Sequence, residues 1–154
     1  MENNDGGLTV FGHNVLERMQ NVGMAVDASH CGDRTTLDAL AAAKKPIIFT
    51  HASCRALVPG HVRCKTDEMI RKLASLGGVM GIPFIKWIIR SAPPVTVEHV
   101  VDHIEYVAKL VGVEHIGIGS DIDIDGYGAT QTAVGVVNRT GQPKGSLSLI
   151  VVLR

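Results

Sequence analysis

The sequence predicts an α/β protein with a parallel sheet covered by helices. Three observations carry this reading. Continuously apolar runs recur at 23–29, 47–50, 78–83 and 115–119. Segments with a 3.6-residue apolar period stand between them, as helical crossovers do. With 154 residues, 45% of them apolar, the chain has the size and apolar content of one ordinary domain. Two architectures fit the pattern: a doubly wound open sheet, or part of a (β/α)8 barrel.

The elements follow in order. Residues 10–21 read as a helix with Val10, Val15, Leu16 and Met19 on one side. Residues 23–29 read as a short buried strand. Asp33 is placed to cap a helix through about Lys44, with Leu37, Leu40 and Ala41 facing inward. Pro46 opens the strand Ile47–Thr50, and 52–65 has no clear period, which marks a long loop. Thr66 begins the next helix, with Asp67 and Glu68 in its first turn where the helix dipole favours negative charge. Met69, Ile70, Leu73 and Leu76 form its apolar face, and Gly77 is a suitable stop. A strand follows at 78–83. Residues 84–94 are a loop or a partly helical segment. Thr96 caps the clearest helix, whose stripe runs Val97, Val100, Val101, Ile104, Val107, Ala108 and Val111 before Gly112 ends it. Residues 115–119 are the fourth strand. Beyond Gly128 the pattern breaks down. The sequence therefore divides into a domain at 1–128 and an atypical tail at 129–154 that closes on the apolar run Leu149–Leu153.

Composition narrows the function. The 15 basic residues balance the 15 acidic ones, so there is no basic footprint for nucleic acid. The aliphatic content argues against disorder, and no apolar run reaches the length of about 18 residues that a membrane span needs. The start is polar and acidic, unlike a secretory signal. The three cysteines, Cys31, Cys54 and Cys64, form no C-x-x-C pair, which fits reduced thiols and a cytoplasmic location. The sequon at Asn138 is then read as chance.

Chemistry in parallel α/β proteins gathers where strands end. His30 follows the first strand, His51 the second and Asp121 the fourth. Neutral imidazole and carboxylate suit a borderline divalent ion such as zinc, and a carboxylate nearby can move a proton to and from water. Singly, each is also an ordinary hydrogen-bonded loop residue. Arg55 and Arg63 lie on the loop after His51, either as solvated side chains or as two-bond anchors for a carboxylate. His99 and His103 share a helix face, but Val100 replaces the glutamate of the zinc-protease pattern, so they read as surface or packing residues. His13, His61 and His115 have no partner pattern. Cys54 reads as a small loop residue rather than a nucleophile. Gly117-x-Gly119 has Ile122 where a third glycine of a dinucleotide fingerprint would stand, and no Walker motif occurs. Asp121, Asp123 and Asp125 precede Gly126, but Thr132 stands where a calcium loop needs glutamate.

Gly-Leu-Thr-x-Phe-Gly at 7–12, Asp-x-Ser-His at 27–30, Thr-His-x-x-Cys-Arg-Ala-Leu at 50–57 and Gly-Ile-Gly-Ser-Asp at 117–121 together resemble the membrane dipeptidase (renal dipeptidase) family, peptidase family M19. The stretch from Arg63 to Glu68 also resembles the family's arginine-containing loop and the helix after it. The resemblance covers roughly residues 7–128. It implies a TIM (β/α)8 barrel of the metal-dependent hydrolase type and a two-zinc enzyme that hydrolyses dipeptides with a metal-activated hydroxide. By the same resemblance His30 and His51 would be ligands of one zinc, Asp121 the catalytic acid/base, and Arg63 the group that binds the substrate's terminal carboxylate.

The family's His-x-Asp pair and bridging glutamate have no counterpart in these 154 residues, whereas a whole barrel takes about 250. The expectation is a partial barrel of about four parallel strands, at most one partial zinc site, and weak or no catalysis alone. Open sheet edges would favour pairing with another copy. The alternative is a non-catalytic α/β binding or assembly module derived from the dipeptidase barrel.

Overall fold

A computed structural model describes residues 5–121 and 150–152. Its elements are α1 (Val10–Asn21), β1 (Val26–Asp27), α2 (Asp33–Ala42), β2 (Ile47–Phe49), α3 (Asp67–Ser75), β3 (Val79–Ile82), α4 (Lys86–Ile89), α5 (Val97–Val111), a 3-10 turn at Val113–His115, β4 (Ile116–Gly119) and β5 (Ile150–Val152). The sheet runs β1-β2-β3-β4-β5. Its first four strands are parallel, in the registers Val26↔Ile47, Ile48↔Val79 and Met80↔Ile116. This is the alternating parallel α/β architecture expected from the apolar pattern. β5, from the apolar run at the chain's end, adds to it antiparallel, with Gly119 opposite Ile150. The proposed boundary at residue 128, the Asp123–Gly126 stretch, the Asn138 sequon and most of the expected tail lie outside the described residues.

The core explains why the strands are apolar throughout. Ile47, Phe49, Met80, Ile82 and Ile116 have no exposed surface, and Leu40, Met69, Ile70, Leu73 and Val107 pack on them from the helices. Each such side chain contributes about 1.5–3 kcal/mol through removal from water. Thr66 caps α3 as expected, its hydroxyl accepting from Met69 N at 3.3 Å. In α5 the His99 imidazole reaches back to Thr96 N at 3.1 Å and supports the helix start. Gly77 and Gly112 end their segments at positive φ, where glycine is favoured.

Three expectations change. Asp33 is the first residue of α2 rather than its cap, and Gly32 takes the cap position. The Asp33 carboxylate is drawn aside by the Arg55 guanidinium, and Asp5 serves the helix start instead, accepting from Arg34 N at 2.6 Å and Thr35 N at 3.1 Å. Second, α2 buries Thr36, Ala39 and Leu40, while Ala41 is exposed. Third, α1 buries Leu16 and Gln20 but leaves Val10, Phe11 and Val15 exposed. Gln20 is held by its amide, which donates to Lys45 O and accepts from Lys44 N, both at 2.9 Å. Among the described residues no helix is long and apolar enough to cross a membrane.

Candidate functional site

The sheet brings the ends of β1, β2 and β4 together, and a close backbone approach sets their spacing. The Thr50 carbonyl lies against both Gly81 on β3 and Gly119 on β4, so a Cβ at either position would collide with it. The second glycine of Gly117-x-Gly119 thus has a packing reason with no nucleotide involved.

Asp27 ends β1 and organises the turn after it. Its Oδ1 accepts from Ser29 N at 2.9 Å, Ser29 Oγ at 2.6 Å and Thr50 N at 3.1 Å, and its Oδ2 accepts from Thr50 Oγ1 at 2.6 Å. Burial raises its pKa, but these hydrogen bonds outweigh that and hold it below the ordinary carboxylate value. Ser29 Oγ in turn accepts from His51 N at 3.1 Å. A single carboxylate therefore fixes the turn before His30 and the backbone at His51.

The same network sets the His51 tautomer. Thr50 Oγ1 has one proton and commits it to Asp27, so toward His51 Nδ1, 2.8 Å away, it acts as acceptor. Nδ1 then carries the ring proton and Nε2 presents a lone pair. On the other side Arg63 Nη2, which can only donate, lies 3.1 Å from His30 Nε2. That nitrogen also presents a lone pair when the ring is neutral. Burial, then the Arg63 charge, then His51 lower the His30 pKa and favour the neutral ring.

The two Nε2 atoms converge to 2.8 Å, with ring centroids 4.9 Å apart. Two lone pairs at that separation repel unless a proton or a cation lies between them. The donor chemistry therefore fits a divalent ion that accepts neutral imidazole, zinc among them. Asp121 Oδ2 is 4.0 Å from His51 Nε2. Asp121 has φ 52°, a left-handed conformation uncommon outside glycine but better tolerated by Asp. Arg63 is 6% exposed, and its Nη1 also donates to the Ser29 carbonyl. All four residues singled out in the sequence thus lie in one neighbourhood. Among the described residues no group of three or more His, Cys, Asp or Glu side chains is placed to share a metal ion.

The other candidates separate cleanly. Arg55 binds Asp33 and donates from Nε to Cys64 O at 2.9 Å, which makes it a brace for the Arg63 loop. His103 is 1% exposed: its Nδ1 accepts from Cys54 N, and its Nε2 lies 3.0 Å from Ile89 O. Cys54 is fully buried, and burial pushes its thiol up to about 12, which removes any nucleophilic role near neutral pH.

Sequence reasoning assigns no role to Asp27, Ser29, Thr50 or Lys65. A signal exists for two of them. Asp27 interrupts an apolar strand, and Lys65 sits in a loop that has few other reasons to be ordered.

A parallel α/β sheet thus carries a converging histidine pair and a carboxylate at its strand ends, with an arginine from the loop after β2 beside them. The chain belongs to the membrane dipeptidase family (peptidase family M19), whose profile matches residues 1–139. It is 41% identical over 118 residues to Dipeptidase tcpJ of Claviceps purpurea, covering 76% of this chain and 28% of that protein. It is 42% identical over 118 residues to Dipeptidase verJ of Clonostachys rogersoniana, covering 77% and 30%. Among solved structures, an amidohydrolase from Pseudomonas aeruginosa superposes with a TM-score of 0.72 at 34% identity, over 77% of this chain and 36% of that one. The chain thus spans less than a third of the length of these curated relatives.

Proposed function

We propose that this chain supplies one histidine pair, the acid/base and the carboxylate anchor of a zinc-dependent dipeptidase site. The observation that carries the proposal is the convergence of His30 Nε2 and His51 Nε2 at 2.8 Å, with the His51 lone pair set by Asp27 and Thr50; the His30 lone pair accepts an Arg63 N–H that ion binding would displace. Zinc, when bound, would polarise the peptide carbonyl and lower the pKa of water. His30 and His51 would hold the ion. Asp121, beside His51, would take a proton from the attacking water and return it to the departing amine. Arg63 commits one N–H each to Ser29 and His30 among the described residues. Its remaining N–H groups and charge suit the terminal carboxylate of a dipeptide.

Structural zinc sites take four protein donors, and catalytic ones usually take three plus water. Two imidazoles fall short of either number, so weak or no hydrolysis is expected of the chain alone. Metal analysis of the purified chain tests the site. Bound zinc that disappears in both His30→Ala and His51→Ala supports it, and no zinc above background at high added metal overturns it. Dipeptide hydrolysis that survives both substitutions would remove the assigned roles.

A second reading concerns assembly, and the β1 edge favours it. Among the described residues β1 pairs on one side only, and exposed Val10, Phe11, Val15, Val22 and Met24 lie on or just after neighbouring α1. An open parallel edge beside an apolar surface suits pairing with a second copy. A monodisperse monomer in light scattering would refute this reading.

A further inference from the structure

Lys65 has the least expected environment among the described residues. It is 1% exposed, although lysine is almost never fully buried without partners. Its ammonium donates to Ala28 O at 2.8 Å, Cys31 O at 3.0 Å and Thr36 Oγ1 at 3.2 Å, which uses all three of its N–H groups. It also lies 5.0 Å from the centre of the Phe49 ring. Ala28 and Cys31 bracket Ser29 and His30, so the ammonium gathers in the carbonyls on either side of His30.

The main chain of the same residue makes a second set of ties. Lys65 N donates to Ser53 O at 2.8 Å, and Arg55 N donates to Lys65 O at 2.9 Å. Ser53 follows His51 by two positions, and Arg63 precedes Lys65 by two. One residue therefore joins the three segments that carry His30, His51 and Arg63, through hydrogen bonds to none of the three side chains. Removing the ammonium would leave Ala28 O with only the bond from Cys31 N and Cys31 O with only that from Thr36 Oγ1, both at 3.2 Å, and the turn would lose the tie that draws the two carbonyls together.

We propose that Lys65 is the positioning residue of the site, fixing the His30 turn against the His51 and Arg63 segments so that the imidazoles converge. This rests on the reading of His30 and His51 as a metal pair. Groups that orient metal ligands from outside the coordination shell commonly change affinity by about 10–100-fold.

The test is Lys65→Met in the full chain, which keeps the stem and removes the donors. Zinc affinity is measured by competition with a chromophoric chelator, well below the melting temperature. The metal-free imidazole resonances of His30 and His51 are followed by NMR. The expected result is zinc binding weakened by about 10–100-fold, with a shifted His30 resonance in a folded protein. A folded variant with wild-type zinc affinity and wild-type His30 resonance overturns the proposal, because a merely structural lysine would change melting and neither of these. Should Lys65→Met fail to fold, Thr36→Val decides. It removes one acceptor of the ammonium together with the Thr36 hydroxyl's own bond to Cys31 O, and an affinity loss of about fivefold is expected, whereas no change refutes the role. If the wild-type chain takes up no zinc, the metal reading fails separately. The His30 resonance then decides the positioning role by itself.

Discussion

If His30 and His51 hold zinc as proposed, Asp27→Asn should weaken that binding without removing either imidazole. The carboxylate accepts four hydrogen bonds, three at Oδ1 and one at Oδ2 from Thr50 Oγ1 at 2.6 Å. Asparagine can keep the three at its carbonyl oxygen. Its amide then stands where Oδ2 was and must donate to Thr50. The Thr50 hydroxyl, now an acceptor from Asn, turns its own proton toward His51 Nδ1, 2.8 Å away. The His51 proton moves to Nε2, the atom that faces His30 at 2.8 Å. Binding zinc must first reverse that tautomer. A loss of 10–100-fold is expected, typical of such outer partners, or about 1.4–2.8 kcal/mol. Asp27 keeps exposed surface although its hydrogen-bonded carboxylate is partly desolvated, so unfolding stability should fall by only about 1 kcal/mol. The assay is zinc competition together with imidazole nitrogen shifts, which report the protonated nitrogen directly. Wild-type zinc affinity in a variant whose His51 still carries its proton on Nδ1 would refute the relay.

Packing and charge set three further outcomes. Leu73→Ala, at 1% exposure in the face α3 turns to the sheet, should cost about 2–5 kcal/mol in urea unfolding; a loss below 1 kcal/mol would contradict the core assignment. Burial raises the Cys54 thiol from 9.0 to about 12. The unfolded chain therefore releases this proton first, and the stabilisation is complete below about pH 9 and lost as pH rises toward 12. Lys65, lowered from 10.5 to about 8, acts oppositely between those values. Cys54→Ala should thus gain on wild type by roughly 3 kcal/mol between pH 8 and pH 11, and a constant difference across urea melts would refute it. His103 has its pKa lowered, first by burial, so its contribution is lost as pH falls below about 6.5. His103→Gln should flatten acid destabilisation in that range, and an unchanged acid limb in thermal melts would count against it.

The four parallel strands and the helices between them were legible because burial on both faces leaves a continuous apolar run. Helical faces such as Met69, Ile70 and Leu73 repeat with the right period. Chain contacts hidden from local pattern account for the failures. Asp33 sits where a cap belongs, yet Arg55, 22 residues away, takes its carboxylate and leaves the helix start to Asp5. The helix from Thr96 leaves Val97 and Val101 of its expected stripe exposed, and His103, read as a surface or packing residue, is packed and bonds the loop at Cys54. His30, His51 and Asp121 stand out by their place at strand ends, and Arg63 is singled out only by the family resemblance; the structure brings the four side chains into one neighbourhood. The roles of the groups around them were not legible: Asp27 and Thr50 stand in the family motifs, but their bond to each other crosses from β1 to β2, and Lys65 acts over 29 to 37 residues.

The arrangement separates two properties of a metal site that are easily confused. Occupancy depends on the number of donors, and two imidazoles give zinc fewer than it takes in either its structural or its catalytic sites. Preorganisation depends on what fixes those imidazoles, and here the described residues supply those contacts: Asp27 and Thr50 for His51, Lys65 for the segments that carry both rings. The entropy of ordering the pair is therefore met by the fold before any ion arrives. Further donors, whether from more chain or from another copy, would meet a pair already aimed. If so, substitutions at Asp27 or Lys65 should weaken zinc binding by a similar factor in the chain alone and in any complemented assembly. An effect confined to one of the two would mean that the pair is organised by the added donors instead.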